Sequence, residues 1–271
     1  MQTIVKDIIK FFYAIALIKI IAVSVWVAII TMGLFSFTNR LERKTVADKG
    51  FAVVELFTSE GCSGCPPADA LIAGIQNEMK DSLVYLLAYH VDYWNRLGWK
   101  DPFSSAAYSE RQHQYAGWLK GSLYTPQAVV NGSREVVGSE EGTLRNAIKE
   151  GLMKVPLAEI ILNEFKKGMK KITLQYSVKN NPADTYLILA LVEKNALSKV
   201  LKGENRGRTL SHVQIIRNLQ TIKLTGQSNG VGTLKLPGGL DMQVLEIIVF
   251  LQNKSNGKIV AATKSGIMVI K

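Results

Sequence analysis

The stretch LFTSEGCSGCPPADALIAGIQ, residues 56–76, contains both cysteines of the 271-residue chain. The run that leads into it, residues 50–58, is apolar and rich in β-branched residues, a pattern that predicts a buried strand. The run that follows has apolar residues at helical spacing, with two prolines in the first turn, where their missing N–H groups cost nothing. Cys62 and Cys65 are therefore predicted to lie at a junction between a strand and a helix.

A cysteine at that junction is predicted to be reactive. The free N–H groups and the positive end of the helix dipole stabilise an anion, which lowers the pKa of the first thiol and favours the thiolate. Cys65 follows one turn later and can form a disulfide with Cys62. The pair therefore favours thiol–disulfide exchange, with Cys62 as the nucleophile and Cys65 as the resolving thiol. Because the cysteines themselves carry the electrons, no bound cofactor is predicted.

Other roles for the two cysteines remain open. A purely structural bridge would close so short a loop that it would remove little chain entropy. A structural zinc site needs four ligands, and the chain adds only His90, His113 and His212, at no ligand-like spacing. Copper needs fewer ligands, and Cys62, Cys65 and His90, which ends an apolar run predicted as the second strand, could bind it. Metal delivery is therefore an alternative function.

The order of the following elements predicts the fold of the first half. After the second strand come an aromatic-rich segment with a serine-capped helix, a strand at residues 127–131, a hairpin turn at Asn131-Gly132 and a last helix at residues 140–151. This is the order of elements in thioredoxin. Residues 49–152 are therefore predicted to form an α/β thioredoxin-like domain.

That fold assigns three further residues to the site. Pro126 stands at the start of the third core strand, where thioredoxin has a cis-proline that packs against the cysteines. The backbone of Thr125 would then be available to an extended partner chain. Glu55 stands near the position of a buried carboxylate in thioredoxin-like proteins, and a raised pKa would suit it to accept the proton of the resolving thiol. An ordinary hydrogen-bonded acid is the other interpretation of Glu55.

The second half has a different pattern. Residues 153–271 are β-rich runs separated by Asn-Pro, Pro-Gly-Gly and Ser-Asn-Gly turns, and they predict an all-β antiparallel sandwich-like domain. The polar block GENRGRTLSHVQIIR, residues 203–217, interrupts these runs and is predicted to contact the first domain or a partner. Residues 155–271 carry 17 Lys and Arg against 7 Asp and Glu, and so supply most of the net charge of +11. No nucleic-acid motif accompanies this charge, so nucleic-acid binding is not predicted.

Residues 1–48 are predicted to be an N-terminal membrane anchor, or a signal, followed by a linker. Residues 20–37 are uncharged, and as a helix at about 1.5 Å per residue they would measure roughly 27 Å, close to the hydrocarbon thickness of a bilayer. No clean small-x-small cleavage site follows, so an uncleaved transmembrane helix is favoured over a removed signal. The globular part is then expected at a bacterial inner membrane, in the periplasm or another extracytoplasmic space.

Four segments resemble those of a known family. ELFTSEGCSGCPPAD, YHVDYWNRLGWKDPFSS, YTPQAVVNG and GENRGRTLSHVQIIR are similar to the motifs of a bacterial family of exported or membrane-anchored thioredoxin-like proteins with no assigned function. The resemblance covers residues 51–138 and 203–217. It implies a thioredoxin-like domain with an additional C-terminal β domain, and it implies no substrate.

These observations predict a membrane-anchored thiol–disulfide oxidoreductase whose partners are protein thiols or disulfides. Two alternatives remain: a copper-binding, metal-delivery protein that uses the same cysteines, and a non-catalytic interaction module. In the latter, the aromatic residues between positions 89 and 124 would form a groove for an extended partner. A small satellite core is the other interpretation of those aromatics.

Overall fold

The computed structural model describes Trp26 and residues 49–224 and 228–267. Within these ranges the elements are, in chain order, β1 (Ala52–Thr58), α1 (Pro66–Glu78), β2 (Val84–His90), a 3₁₀ helix (Tyr93–Leu97), α2 (Ala106–Leu119), β3 (Gln127–Val130), β4 (Arg134–Val137), α3 (Glu141–Leu152), β5 (Glu159–Lys167), β6 (Lys171–Lys179), β7 (Thr185–Lys199), β8 (Thr209–Lys223), β9 (Asn229–Lys235), a 3₁₀ turn (Met242–Val244), β10 (Leu245–Asn253) and β11 (Ile259–Gly266).

The described strands form two sheets. The larger has eight strands in the order β11-β10-β7-β8-β2-β1-β3-β4, and the smaller has three, in the order β5-β6-β9. In the larger sheet β1 and β2 are parallel, and β8 joins β2 in parallel at the pair Ala88 and Ile215. The remaining neighbours are antiparallel. The larger sheet is therefore mixed, with its parallel pairs at the centre.

The predicted fold class is wrong. The sequence predicts a thioredoxin-like α/β domain followed by a separate all-β sandwich, but the described chain is mostly β, and one eight-stranded sheet contains strands from both parts. The apolar runs coincide with strands, but residues 209–217 of the block predicted to interrupt them are in β8, and the runs do not determine which strands pair. The buried residues at the centre of β8, including Ile215 and Ile216, join it to β2 and make the two parts continuous.

Residues Lys49–Lys271 form one compact unit, and the predicted boundary between residues 152 and 153 falls between α3 and β5. The predicted transmembrane helix, residues 20–37, lies outside the described residues apart from Trp26. None of the helices that the structure describes is both long enough and apolar enough to cross a bilayer.

Strand β1 is buried on both faces, which explains why its sequence is apolar apart from Glu55 and Thr58. Val53 and Phe57 belong to a core that α2 covers, whereas Val54 and Leu56 belong to a core on the opposite face, which α1 and α3 cover. A third core lies between the smaller sheet and the strands β7, β10 and β11. The carboxyl end of β1 is thus held between layers, and the loop with the cysteines begins there.

The turn between β3 and β4 contacts the start of β11, the strand at the other end of the larger sheet. Asn131 and Gly132, which form the turn between β3 and β4, have φ angles of 48° and 60°, and this left-handed pair confirms the predicted Asn-Gly hairpin turn. The carbonyl of Asn131 accepts a hydrogen bond from the backbone N–H of Ile259, the first residue of β11 (3.0 Å). Strand β11 of the second half is therefore bonded to the hairpin turn of the first half.

Candidate functional site

The two cysteines form a disulfide between the end of β1 and the start of α1. Their Cα atoms are 5.4 Å apart, and Cys65 is the N-cap residue of α1, followed by two prolines. The predicted junction of strand and helix is therefore confirmed. Cys62 is 2% exposed and Cys65 is fully buried, whereas Ser63 and Gly64 between them are exposed. The exposed surface beside the disulfide therefore includes these two residues.

Thr125 and Pro126 lie directly against this loop. The peptide bond between them is cis, and a Cβ placed on Gly64 would lie 3.8 Å from Cδ of Pro126. Sγ of Cys62 is 3.7 Å from the carbonyl oxygen of Thr125. The indole N–H of Trp94 donates to the hydroxyl of Thr125 (2.8 Å), which fixes that residue. The structure thus brings together four of the residues predicted for the site.

Glu55 is placed elsewhere. It shares the face of β1 that packs against α2, and its carboxylate accepts two hydrogen bonds from Arg111, at 2.6 Å and 3.0 Å, and a further one from the hydroxyl of Tyr115. Burial would lower the pKa of Arg111, but the charge of Glu55 raises it well above its usual value. The Glu55 carboxylate is therefore part of a buried ion pair in the core, on the face opposite to α1.

His90 contacts Asp101, Phe103 and His212 and is not bound to the cysteines. Its Nδ1 lies 2.7 Å from Oδ2 of Asp101, and both side chains are fully buried. Its ring packs edge-on against Phe103 and His212. Across residues 49–224 and 228–267, no three His, Cys, Asp or Glu side chains form a group suited to a metal ion, and this includes the set Cys62, Cys65 and His90.

Residues 59–65, between β1 and α1, form the loop that contains both cysteines, and we call it the cysteine loop. Sequence reasoning missed a buried cluster of an imidazole and two carboxylates next to this loop. Nε2 of His212 lies 3.3 Å from Oε1 of Glu60, and Nδ1 lies 3.4 Å from Oδ2 of Asp69. The other oxygen of Glu60 accepts from the indole of Trp99 (2.6 Å), and the other oxygen of Asp69 accepts from the hydroxyl of Thr58 (3.0 Å). We call Glu60, His212 and Asp69 the buried triad.

The sequence contains a partial signal for this cluster. Glu60 precedes Cys62 by two residues, and Asp69 follows Cys65 by four, which puts it on the same helix face. His212 is far away in the chain and lies on β8. The sequence predicts that the block of residues 203–217, which contains His212, contacts the first domain or a partner. No local pattern joins His212 to Glu60 and Asp69, because the pairing of β8 with β2 is what brings it to the site.

The loop between β7 and β8, residues 200–208, holds the cysteine loop directly. The side-chain amide of Asn205 donates to the carbonyls of Glu60 and Cys62, both at 2.9 Å. The carboxylate of Glu204 accepts from the backbone N–H of Ser63 (2.9 Å). Arg208 in turn donates to the amide oxygen of Asn205 (2.8 Å). The predicted contact of the polar block with the first half of the chain is therefore confirmed.

Charges in and around the triad shift two pKa values. Burial alone would lower the pKa of His212, but its contacts with Asp69 and Glu60 and their negative charges raise it to about 9. Burial would raise the pKa of Asp101, but the neighbouring imidazole of His90 and the backbone N–H groups of Glu60 and Phe103 lower it. His212 is therefore an imidazolium at neutral pH.

The chain has relatives in sequence and in fold. Residues 53–252 match the family described as protein of unknown function (DUF1223). A crystal structure of a protein from Agrobacterium tumefaciens is similar over 79% of this chain and 92% of that one, with 27% sequence identity and a TM-score of 0.59. HBP35 of Porphyromonas gingivalis is similar over 80% of this chain and 75% of its own, with 17% identity and a TM-score of 0.55, and this likeness concerns the fold alone. No curated protein matches the chain.

Proposed function

The chain belongs to the DUF1223 family of proteins of unknown function, and we propose that it is a thiol–disulfide oxidoreductase that acts on partner proteins in the bacterial cell envelope. The observation that carries this proposal is the Cys62–Cys65 disulfide at the amino end of α1, next to the carbonyl of Thr125. A dithiol and a disulfide are the two stable states of such a pair, and exchange between them needs no bound cofactor.

The exchange has two steps. A thiolate of a reduced partner attacks Sγ of Cys62, the bond between the two cysteines breaks, and its electron pair goes to Sγ of Cys65. A second thiolate of the partner then attacks its own sulfur in the mixed disulfide, and Cys62 leaves as a thiolate. The partner loses two electrons, which the cysteine pair gains. The reverse sequence, which starts from the dithiol, reduces a partner disulfide.

Three features of the described residues support this role. The start of a helix stabilises a thiolate on Cys62 through its N–H groups and dipole. Only Ser63 and Gly64 of the cysteine loop are exposed, so attack at Cys62 is restricted to chains that can lie along this short surface. Thr125 is half-buried, and its backbone stands beside Cys62, where an extended partner could pair with it.

The location in the envelope is a part of the proposal that rests on the sequence. The proposed location is the bacterial inner membrane, with the globular part in the periplasm. The chain has no cysteine besides Cys62 and Cys65, which suits an oxidising compartment, since no third thiol can be oxidised wrongly.

A trapping experiment in the cell envelope tests the proposal. Cys65→Ser removes the resolving thiol, so the mixed disulfide between Cys62 and a partner should accumulate and should disappear on treatment with dithiothreitol. The matched control is Cys62→Ser, which retains one cysteine but lacks the nucleophile and should trap almost nothing. Equal trapping by both variants, or no covalent complex with either, would overturn the proposal.

A further inference from the structure

Exchange in the direction that oxidises the cysteine pair requires a proton acceptor for Cys65. After a partner has formed a mixed disulfide with Cys62, the thiol of Cys65 must lose its proton before it can attack. Cys65 is fully buried, so bulk water does not reach it directly. Glu55, the acceptor predicted from the sequence, is occupied by Arg111 and Tyr115 on the opposite face of β1.

Asp69 is the carboxylate that the fold places with Cys65. It is four residues further along α1, and its backbone N–H donates to the carbonyl of Cys65 (3.1 Å). Residues at this spacing share a helix face, and helical side chains point back toward the amino end. Asp69 is 5% exposed. Its carboxylate is therefore buried in the same layer as Cys65 and close to the start of the helix.

The buried triad gives Asp69 the capacity to take a proton. Glu60 and Asp69 place two carboxylates around the single imidazole of His212, so His212 can balance the charge of only one of them. An uncompensated buried charge is costly, and uptake of one proton removes that cost. His212 is 1% exposed, and its contacts with Oε1 of Glu60 and Oδ2 of Asp69, at 3.3 Å and 3.4 Å, are ion-pair distances without full hydrogen-bond geometry.

We propose that Asp69 accepts the proton of the Cys65 thiol when the mixed disulfide on Cys62 is resolved. His212 contacts Asp69 on one side and Glu60 on the other. The proton moves from Sγ of Cys65 to the Asp69 carboxylate, and the Cys65 thiolate attacks Sγ of Cys62. The bond from Cys62 to the partner then breaks, and the partner leaves as a thiolate. This inference rests on the proposed exchange function and assigns the proton step within it.

Other charged groups also face the triad and belong to its electrostatics. His90 lies against the ring of His212, with ring centroids 4.8 Å apart, and is bound to Asp101. Arg217 stacks on Phe103, which packs against the ring of His212. These groups are common to all the variants below, so differences between variants report on the triad itself.

The test uses a chromogenic mixed disulfide in place of a protein partner. Reduced full-length protein reacts with 5,5′-dithiobis(2-nitrobenzoate), and attack by Cys62 releases a first thionitrobenzoate. Resolution by Cys65 then releases a second, and both are measured by stopped-flow absorbance. In Asp69→Asn we expect the second step to slow about 100-fold at pH 7, the low end of what a positioned proton acceptor contributes. Its rate should then rise about tenfold per pH unit up to the pKa of an ordinary thiol, about 8.5.

Further variants separate the proton step from damage to the fold. Asp69→Glu retains a carboxylate and should recover most of the rate. Glu60→Gln removes one of the two carboxylates of the triad and should slow resolution about tenfold. Glu78→Gln, an exposed carboxylate at the far end of the same helix, should behave like the unchanged protein. The first step should stay within about threefold in every variant, because it needs only Cys62.

Two results would overturn the inference. One is an Asp69→Asn variant whose second step has the rate and pH profile of Glu78→Gln. The other is an equal slowing of both steps, which would mean that Asp69 affects the loop as a whole. Neither result bears on trapping of partners by Cys65→Ser. Conversely, dependence of the second step on Asp69 without any trapped partner would contradict the proposed function alone.

Discussion

At the scale of single residues, Asn205 is the side chain that ties the cysteine loop to the second half of the chain. It is 1% exposed, and its side-chain amide donates hydrogen bonds to the carbonyls of Glu60 and Cys62. In Asn205→Ala these carbonyls lose a buried donor, so we expect a loss of about 1–3 kcal/mol in the free energy of unfolding. Urea denaturation of the oxidised protein measures it. Asn195→Ala, on the exposed side of β7, should change stability by no more than about 0.5 kcal/mol.

His212 predicts a specific dependence of stability on pH. Its pKa is about 9 in the folded protein against 6.5 for the free side chain. Below pH 6.5 both states hold the proton and the stabilisation is complete. As the pH rises toward 9 the unfolded state loses the proton first, so stability falls by up to about 3 kcal/mol and the contribution is lost above pH 9.

The measurement is the free energy of unfolding between pH 6 and pH 10. The exposed His113 provides the control, since His113→Gln should retain the alkaline decrease and His212→Gln should lack it. The same decrease in both variants would show that His212 is not charged in the folded protein.

The sequence predicts those residues of the site that are fixed by local chemistry. Cys62 and Cys65 stand at a strand–helix junction that their neighbours determine, and Pro126 opens the strand beside them. The position of Glu55 on β1 is also local, but its partner Arg111 lies 56 residues away. The alternation of β1 between two buried faces gives no indication of which face α1 covers, so the sequence does not show that Glu55 lies on the face opposite to α1.

At the scale of elements, the turn between β3 and β4 joins the two ends of the larger sheet. Gly132 has a φ of 60°, and a Cβ at this position would overlap the carbonyl oxygen of Gly257 in the turn before β11. Both the left-handed backbone and the close approach therefore require glycine. We expect Gly132→Ala to cost about 2 kcal/mol or more, which corresponds to a decrease in Tm of about 4–8 °C.

Calorimetry of Gly142→Ala provides the comparison. Gly142 is in α3, where a Cβ meets open space, so the change should leave Tm the same or raise it, because alanine favours a helix more than glycine does. A Gly132→Ala variant that is as stable as Gly142→Ala would show that the two ends of the sheet do not press together at this turn.

The hairpin of β7 and β8 shows why elements are easier to predict than their arrangement. Strand β7 is visible in the sequence as an apolar run, whereas residues 209–217 of β8 belong to the block that the sequence presents as a polar interruption, and each strand has 15 residues, longer than the runs suggest. The extra length carries residues 200–208 to the cysteine loop. It depends on the antiparallel register from Tyr186 and Lys223 to Lys199 and Thr209, which is set by tertiary packing and not by local propensity.

At the scale of the whole molecule, one sheet through both halves implies one cooperative unfolding unit. Phe250 on β10 provides a test, since its ring is fully buried in the core that contains Phe57 of β1, and Arg111 of α2 stacks on it at 5.5 Å. We expect Phe250→Ala to cost about 3–5 kcal/mol and to lower the urea midpoint by about 1 M or more. Tryptophan fluorescence is the informative probe, because three of the four tryptophans, Trp94, Trp99 and Trp118, belong to the first half.

Circular dichroism reports on the strands of both halves and should shift together with the fluorescence. The matched control is Val231→Ala on β9, which is 61% exposed and should leave the midpoint almost unchanged. If Phe250→Ala shifted only the circular dichroism transition and left the tryptophan transition in place, the two halves would unfold separately. The contacts of residues 200–208 with the cysteine loop would then be too weak to couple the stability of the site to the second half.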